Sequence, residues 1–211
     1  MTAGERLIAN DGYEVCLFPL EYMNISQDEG GSYSHQNTYN IDFLGWDENG
    51  RVYNCPFYAP VSLVCVSNNS DAEHTRIYQS QQKVHLANGN LDYLTIQFTH
   101  DDNPIYNVGD LITQGTLLGR TGTAGNTTGD HVHSCCGQGT YQGLTQRTGG
   151  RWDLTNRIHY YDATYVNNTV IINGFNHNWK TYTGPVENAK RNKFPFVLYA
   201  NKLRQKMLKK I

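Results

Sequence analysis

The chain has no long apolar run: nothing approaches the ~20 consecutive apolar residues that a membrane-crossing helix needs, so a helical membrane span is excluded. Its N-terminal residues, MTAGERLIANDGYEV, lack a basic patch followed by an apolar stretch, and no classical export signal is expected. Ala, Leu and Glu are scarce outside the C-terminal end, which counts against a helical protein. Paired CxxC spacing is missing from the five cysteines, Cys16, Cys55, Cys65, Cys135 and Cys136. A thiolate zinc site is thereby disfavoured, and an odd number of thiols cannot all be spent in a disulfide framework. Reduced, partly buried cysteines are expected.

What the chain does have is 15 Tyr and 20 Gly, with many Asn and Thr. That mixture favours strands joined by tight turns and predicts an all-β fold. At 211 residues there is room for one domain with a substantial core. Charge is divided unevenly. The formal net charge is -2, yet residues 190–211 hold eight of the 17 Lys and Arg and no Asp or Glu. The body therefore carries nine basic against 19 acidic residues. We expect a catalytic domain over 1–189 and a basic tail over 190–211, where Tyr199, Leu203, Met207 and Ile211 recur every four residues as on a short amphipathic helix. An acidic body with its basic residues gathered in one tail disfavours nucleic-acid binding.

Along the chain, YEVCLFPL, TYNIDFLGW and RVYNCPFYAPVSLVCV read as strands, with the polar loop EGGSYSHQN after the first and the turn DENG before the last. Residues 67–90 are polar and read as loop. LDYLTIQFTH alternates and delivers His100 at a strand end. Glycines at 109, 115, 119, 122, 125 and 129 punctuate the approach to His131-Val132-His133 as tight turns.

Three features carry chemistry. In NIDFL, pleating puts Asp42 on the face opposite Ile41 and Phe43, so its carboxylate can enter a groove while its neighbours enter the core. On a strand, His131 and His133 share one face. His35 precedes Asp42 by seven positions. Imidazole and carboxylate are standard zinc donors, and three protein ligands with an open position define a catalytic site. His35, Asp42 and one of the HxH pair would supply that set.

SHQNTYNIDF, TIQFTH and GDHVH, in this order, resemble the lysostaphin/LytM-type zinc metallopeptidases, and VGDLITQGTLLGRTGTAGNTTGDHVH is similar to that family's glycine-punctuated approach to its HxH. The resemblance covers residues 15–140. It implies an antiparallel β-sheet core of the duplicated-hybrid-barrel type with long groove loops, Zn²⁺ held by His35, Asp42 and His133, and His100 with His131 as the catalytic pair. It also implies hydrolysis of peptidoglycan cross-links, at Gly-Gly or at a D-Ala bond to the diamino acid. The gap between His35 and Asp42 exceeds the three residues of the commonest form and is similar to that of phage tail lysins. Ser-Cys-Cys follows the HxH where the family usually continues with an apolar residue and Glu, so the exit of that strand differs.

With no export signal expected, a phage virion or release at lysis is the expected route to the cell wall, and the basic tail is a candidate for docking on a phage tail protein. The rival reading is a non-enzymatic phage structural or wall-binding module that keeps the fold. His74, His85, His159 and His177 have no matching context and are expected to be structural or surface residues.

Overall fold

Alternation decides which side of the sheet each residue faces, and the central strands follow it. In the computed structural model, which describes residues 1–69, 71–148 and 150–187, nine strands form one sheet. They are β1 (Tyr22–Gln27), β2 (Ile41–Phe43), β3 (Leu63–Asn68), β4 (Arg76–Ser80), β5 (Leu94–Thr99), β6 (Leu111–Ile112), β7 (Val132–Gln138), β8 (Arg157–Ile158) and β9 (Val170–Asn173). Their order across the sheet is β6-β3-β4-β5-β7-β2-β1-β9, with β8 also paired to β7. Pairing is antiparallel throughout except between β1 and β9, which run parallel. Four two-stranded ribbons surround the sheet, one of them the hairpin Trp46–Asp47 with Gly50–Arg51 that the DENG turn predicts.

One face of the sheet carries the main core. Ile41, Phe43, Ile96, Phe98, Val132 and Cys136 are buried there with Phe18, Phe57 and Tyr160. The rings meet edge to face or stacked: Phe18 and Phe43 have centroids 5.0 Å apart, and Phe57 stacks on Phe98 at 4.6 Å. Complete burial of Ile41 and Phe43 stabilises by about 2 kcal/mol for each side chain. It also fixes the register of β2, because a slip of one residue would bring Asp42 into the core. On the opposite face, a smaller cluster of Ile77, Cys135 and Leu154 lies beneath the hairpin Leu144–Gln146 with Trp152–Leu154.

The structure is nearly all β, and within the described residues helix is confined to the single turn Tyr160–Ala163. Several local expectations are corrected. Residues 67–90 are not a continuous loop, because RIYQS forms β4, which pairs with β3 on one side and β5 on the other. The apolar segment 13–20 is not a regular strand: it makes isolated bridges and spends its backbone groups on separate partners, such as Phe18 N–H to Tyr165 O at 2.8 Å. The segment just after it, YMNISQ, forms β1 instead. All five cysteines are buried and unpaired. The proposed C-terminal helix and the basic tail, residues 190–211, lie outside the described residues.

Candidate metal centre

Register alone brings the first donors together. His133 on β7 pairs with Asp42 on β2, Asp42 pairs with Gln27 on β1, and His133 pairs on its other side with Thr99 on β5. Residues opposite one another on neighbouring strands share a face, so Gln27, Asp42, His133 and Thr99 form one row across four strands. His35 is delivered to this row by the loop between β1 and β2.

His133 Nδ1 lies 2.9 Å from Asp42 Oδ1, His35 Nε2 lies 3.2 Å from the same oxygen, and the two nitrogens are 3.2 Å apart. Among the described residues these three form a group of donors close enough to share one cation. Tetrahedral coordination with Zn–N and Zn–O near 2.0–2.1 Å separates donors by roughly 3.3 Å, close to the triangle found here. Two imidazoles and one carboxylate, with Asp42 and His133 lining an open groove and His35 buried behind them, also match the donor chemistry of a catalytic site with a free position. The residues fit the implied ion.

The outer contacts set which atom of each side chain faces inward. His35 Nδ1–H donates to Asp28 O at 3.1 Å, which leaves the Nε2 lone pair pointing at the centre. Gln27 Nε2–H donates to Asp42 Oδ2 at 3.1 Å and so turns Oδ1 towards the histidines. Burial alone would raise the pKa of Asp42, but the contacts with His133 and His35 outweigh it and hold the carboxyl well below the usual carboxylate range. It is ionised at neutral pH, as a ligand must be.

His100 and His131 stand beside this triangle, with ring centroids 4.7 Å apart, and His131 Nε2 is 3.6 Å from Asp42 Oδ1. Both rings are held by a carbonyl: His100 Nδ1–H donates to Ala124 O at 2.7 Å and His131 Nδ1–H to Gly129 O at 2.8 Å. Each therefore turns its Nε2 to the other edge of the ring. Burial pushes the pKa of His100 down from 6.5 to about 4, assisted by His133 and His131. The backbone of His100 is strained, with φ of +78°, in the left-handed region that L-residues avoid. Its N–H donates to Glu73 O and its carbonyl accepts from Ala124 N–H, so the conformation is held from both sides. Gly122 makes this possible, since a Cβ there would sit 2.3 Å from His100 O. The same glycine pairs with His131 and carries the tight approach into the HxH.

The structure thus brings His35, Asp42, His100, His131 and His133 together, and all of them except the fully buried His35 line a groove of about 1380 Å³. His74 and His85 stay apart from it. His74 bonds to Asp101 O, and His85 lies against the Asp11 carboxylate. His159 and His177 have more context than spacing suggests. His177 Nε2–H donates to the Asp28 carboxylate and His159 Nδ1–H to Glu29, so both tie down the loop that carries His35. Arg157, Tyr39, His159, Tyr161 and His177 stack one on the next along this loop. Gln27 and Asp28 were not singled out from sequence. Nothing in their spacing signals the role, which arises from pairing with distant segments.

Fold and centre together define a β-sheet protein with a His-Asp-His cluster that could hold a cation and two further imidazoles beside it in an open groove. No family model matches the chain. It is similar to Morphogenesis protein 1 of Bacillus phage B103, with 36% identity over 171 residues, or 81% of this chain. The chain spans 45% of the length of that relative. Among solved structures it is similar to a zinc-containing peptidase from Vibrio cholerae, at 16% identity over 62% of this chain and 42% of the other, with a TM-score of 0.43. The catalytic domain of lysostaphin, the antimicrobial peptidase of Staphylococcus simulans, is also similar, at 15% identity over 57% of this chain and 84% of the other, with a TM-score of 0.42.

Proposed function

We propose that this chain is a zinc-dependent endopeptidase of the lysostaphin/LytM type that hydrolyses peptide cross-links of bacterial peptidoglycan. The observation that carries the reading is the convergence of one carboxylate oxygen and two imidazole nitrogens within 3.2 Å of one another, beside two further imidazoles. His35 Nε2, Asp42 Oδ1 and His133 Nδ1 are the ligands. A Zn²⁺ ion held there supplies a Lewis acid that polarises the scissile carbonyl and lowers the pKa of water near it.

The remaining steps belong to the chain itself. His100 and His131 divide between them the removal of a proton from the attacking water and its delivery to the leaving amine, each through the Nε2 left free by its Nδ1–H···O=C bond. Gln27 keeps Asp42 oriented so that the carboxylate is ready before substrate arrives. The open groove admits an extended peptide along the row of β2, β7 and β5.

Similarity to a phage morphogenesis protein supports a phage setting, either virion-associated or released at lysis, with peptidoglycan peptide as the partner. Docking on a phage tail protein through the basic segment 190–211 belongs to the same proposal and rests on its charge. That relative's name favours one second reading, a non-enzymatic module in virion assembly. Metal analysis of the purified protein, with turbidity loss of purified cell walls measured with and without chelator, separates the two. Chelator-sensitive clearing with about one zinc per chain supports the peptidase, and a metal-loaded chain that leaves walls intact supports the assembly module.

A further inference from the structure

The loop between β1 and β2 walls one side of the groove, and three aromatic side chains from three separate segments stand along it: Tyr33, Trp152 and Phe175. Tyr33 belongs to the loop itself and precedes Ser34, whose N–H donates to Gln27 Oε1 at 3.1 Å. Trp152 stands at the loop's exit, where its carbonyl accepts from Asn40 Nδ2–H at 3.0 Å. Phe175 stands at the loop's entry. β1 and β9 run parallel with Asn24 opposite Asn173, so the chain beyond β9 continues in the direction of Gln27, and His177 reaches Asp28 two residues after Phe175.

These rings face water. Tyr33 is 73% exposed, Trp152 53% and Phe175 43%. Single exposed aromatics are ordinary, but three on one wall of one groove mark a contact surface. On the inner side of the same loop, Tyr39, His159, Tyr161 and His177 stack on one another. Among the described residues, none of the three outer rings stacks on another ring or lies under a cation. Phe175 is moreover held outward against its backbone preference: Phe175 and Asn176 have φ of +51° and +58°, two successive left-handed residues without a glycine. Gly174 O accepts from both His177 N–H and Trp179 Nε1–H, and Phe175 N–H donates to Asn173 Oδ1 at 3.3 Å, so the turn is fixed on every side. Around the rings the wall is mostly uncharged. Ser32 and Ser34 flank Tyr33, and Gly150 and Arg151 lead into Trp152.

We propose that this aromatic wall is a sugar-binding subsite, which takes an N-acetylhexosamine ring of the glycan strand while the metal row works on the attached peptide. A pyranose has a face of C–H groups and a rim of hydroxyls. The C–H face packs on an aromatic ring, whose negative π-face favours polarised C–H groups. The hydroxyls stay in water or bond to the serines and Arg151 around the rings. Rings this exposed suit a ligand that is itself amphipathic. An apolar peptide side chain laid on them would remain half wet and gain little from the contact. The choice of occupant deepens the peptidoglycan reading and rests on it, since that substrate is a sugar strand bearing peptides.

The probe is the tetramer of β-1,4-linked N-acetylglucosamine, which carries no peptide, so the full chain is used as purified and nothing is cleaved while binding is measured. Calorimetry should show saturable binding that weakens about tenfold or more in Trp152→Ala and in Phe175→Ala. Both rings are exposed, so their removal leaves the core intact, and thermal melts check this. The tetramer should also shift the tryptophan emission of the wild type to the blue, and Trp152→Phe should keep most of the affinity while losing most of that shift. Absence of tetramer binding in the wild type, or undiminished affinity in both alanine variants, overturns the proposal. An uncross-linked stem peptide without sugar probes the rival occupant: if it loses affinity in these variants as steeply as the tetramer does, the wall belongs to peptide and the proposal falls. Wall hydrolysis without tetramer binding sinks this subsite alone, whereas tetramer binding by a chain that leaves walls intact sinks the peptidase reading and leaves the subsite standing.

Discussion

His177 Nε2 lies 2.9 Å from each carboxylate oxygen of Asp28, the residue whose backbone carbonyl receives the Nδ1–H of His35. A histidine 149 residues away thus anchors the peptide unit that sets the tautomer of a candidate metal ligand.

His177→Ala should therefore weaken metal binding without abolishing the fold. Outer contacts of this type are worth roughly 10-fold to 100-fold in affinity. Competition against a chromophoric chelator measures the loss, and unchanged affinity would assign the Asp28 contact to loop stability alone.

The proposed ligands and the proposed auxiliary residues separate by stoichiometry. Asp42→Ala and His133→Ala should lose both metal and turnover. His131→Ala should retain about one zinc per chain while turnover drops by roughly 10²-fold or more. Metal content and peptide cleavage, measured on the same preparations, distinguish the classes, and full activity of His131→Ala would remove it from the mechanism.

Acid should destabilise the metal-free chain through His100. Its folded pKa of about 4 lies below the 6.5 of an unperturbed imidazole, so between those values the unfolded chain binds the extra proton. Stability then rises as pH climbs through that window and is lost as pH falls through it. Denaturant midpoints at pH 4.5 and 7 should differ less in His100→Gln than in the wild type, and an equal difference in both would reject this source.

Gly122→Ala should damage both fold and site. The new methyl would meet His100 O and Asp102 N, neither of which can swing away as a side chain could. A loss of about 2 kcal/mol or more is expected, together with reduced turnover because His100 and His131 both lean on this position. Thermal melts and cleavage assays report the two effects separately.

None of the five thiols should react with a thiol reagent in the native state, and all five should react in denaturant. Burial pushes Cys16, Cys135 and Cys136 well above the ordinary thiol range and so suppresses the reactive thiolate. Rapid labelling of the folded chain would indicate local opening of the core.

How much of this was legible beforehand depends on whether the cause is local. Asp42 between Ile41 and Phe43 announces a groove-facing carboxylate, because pleating is a property of neighbouring residues. His131 and His133 share a face for the same reason, and LTIQFTH announces a strand that ends at a histidine. RIYQS does not announce β4, since its strand character comes from two flanking partners that bury Ile77 and Tyr78. YEVCLFPL misleads in the other direction: its apolar side chains fill the core while its backbone bonds scatter to several segments. Gln27, Asp28 and His177 carry no local sign at all, because their contacts exist only once β1, β2 and the segment after β9 have met.

The cross-strand row has one more consequence. His35 and Asp42 lie near one end of the chain, and His133 follows them by 98 and 91 positions. A single ion gripping all three would act as a removable stitch through the sheet, present in the native form and without a counterpart in the random chain. At a free-ion level a hundredfold above its dissociation constant, such a stitch adds about 2.7 kcal/mol of resistance to unfolding. Under the proposed metal assignment, the hardiness of this protein would follow the supply of that ion around it.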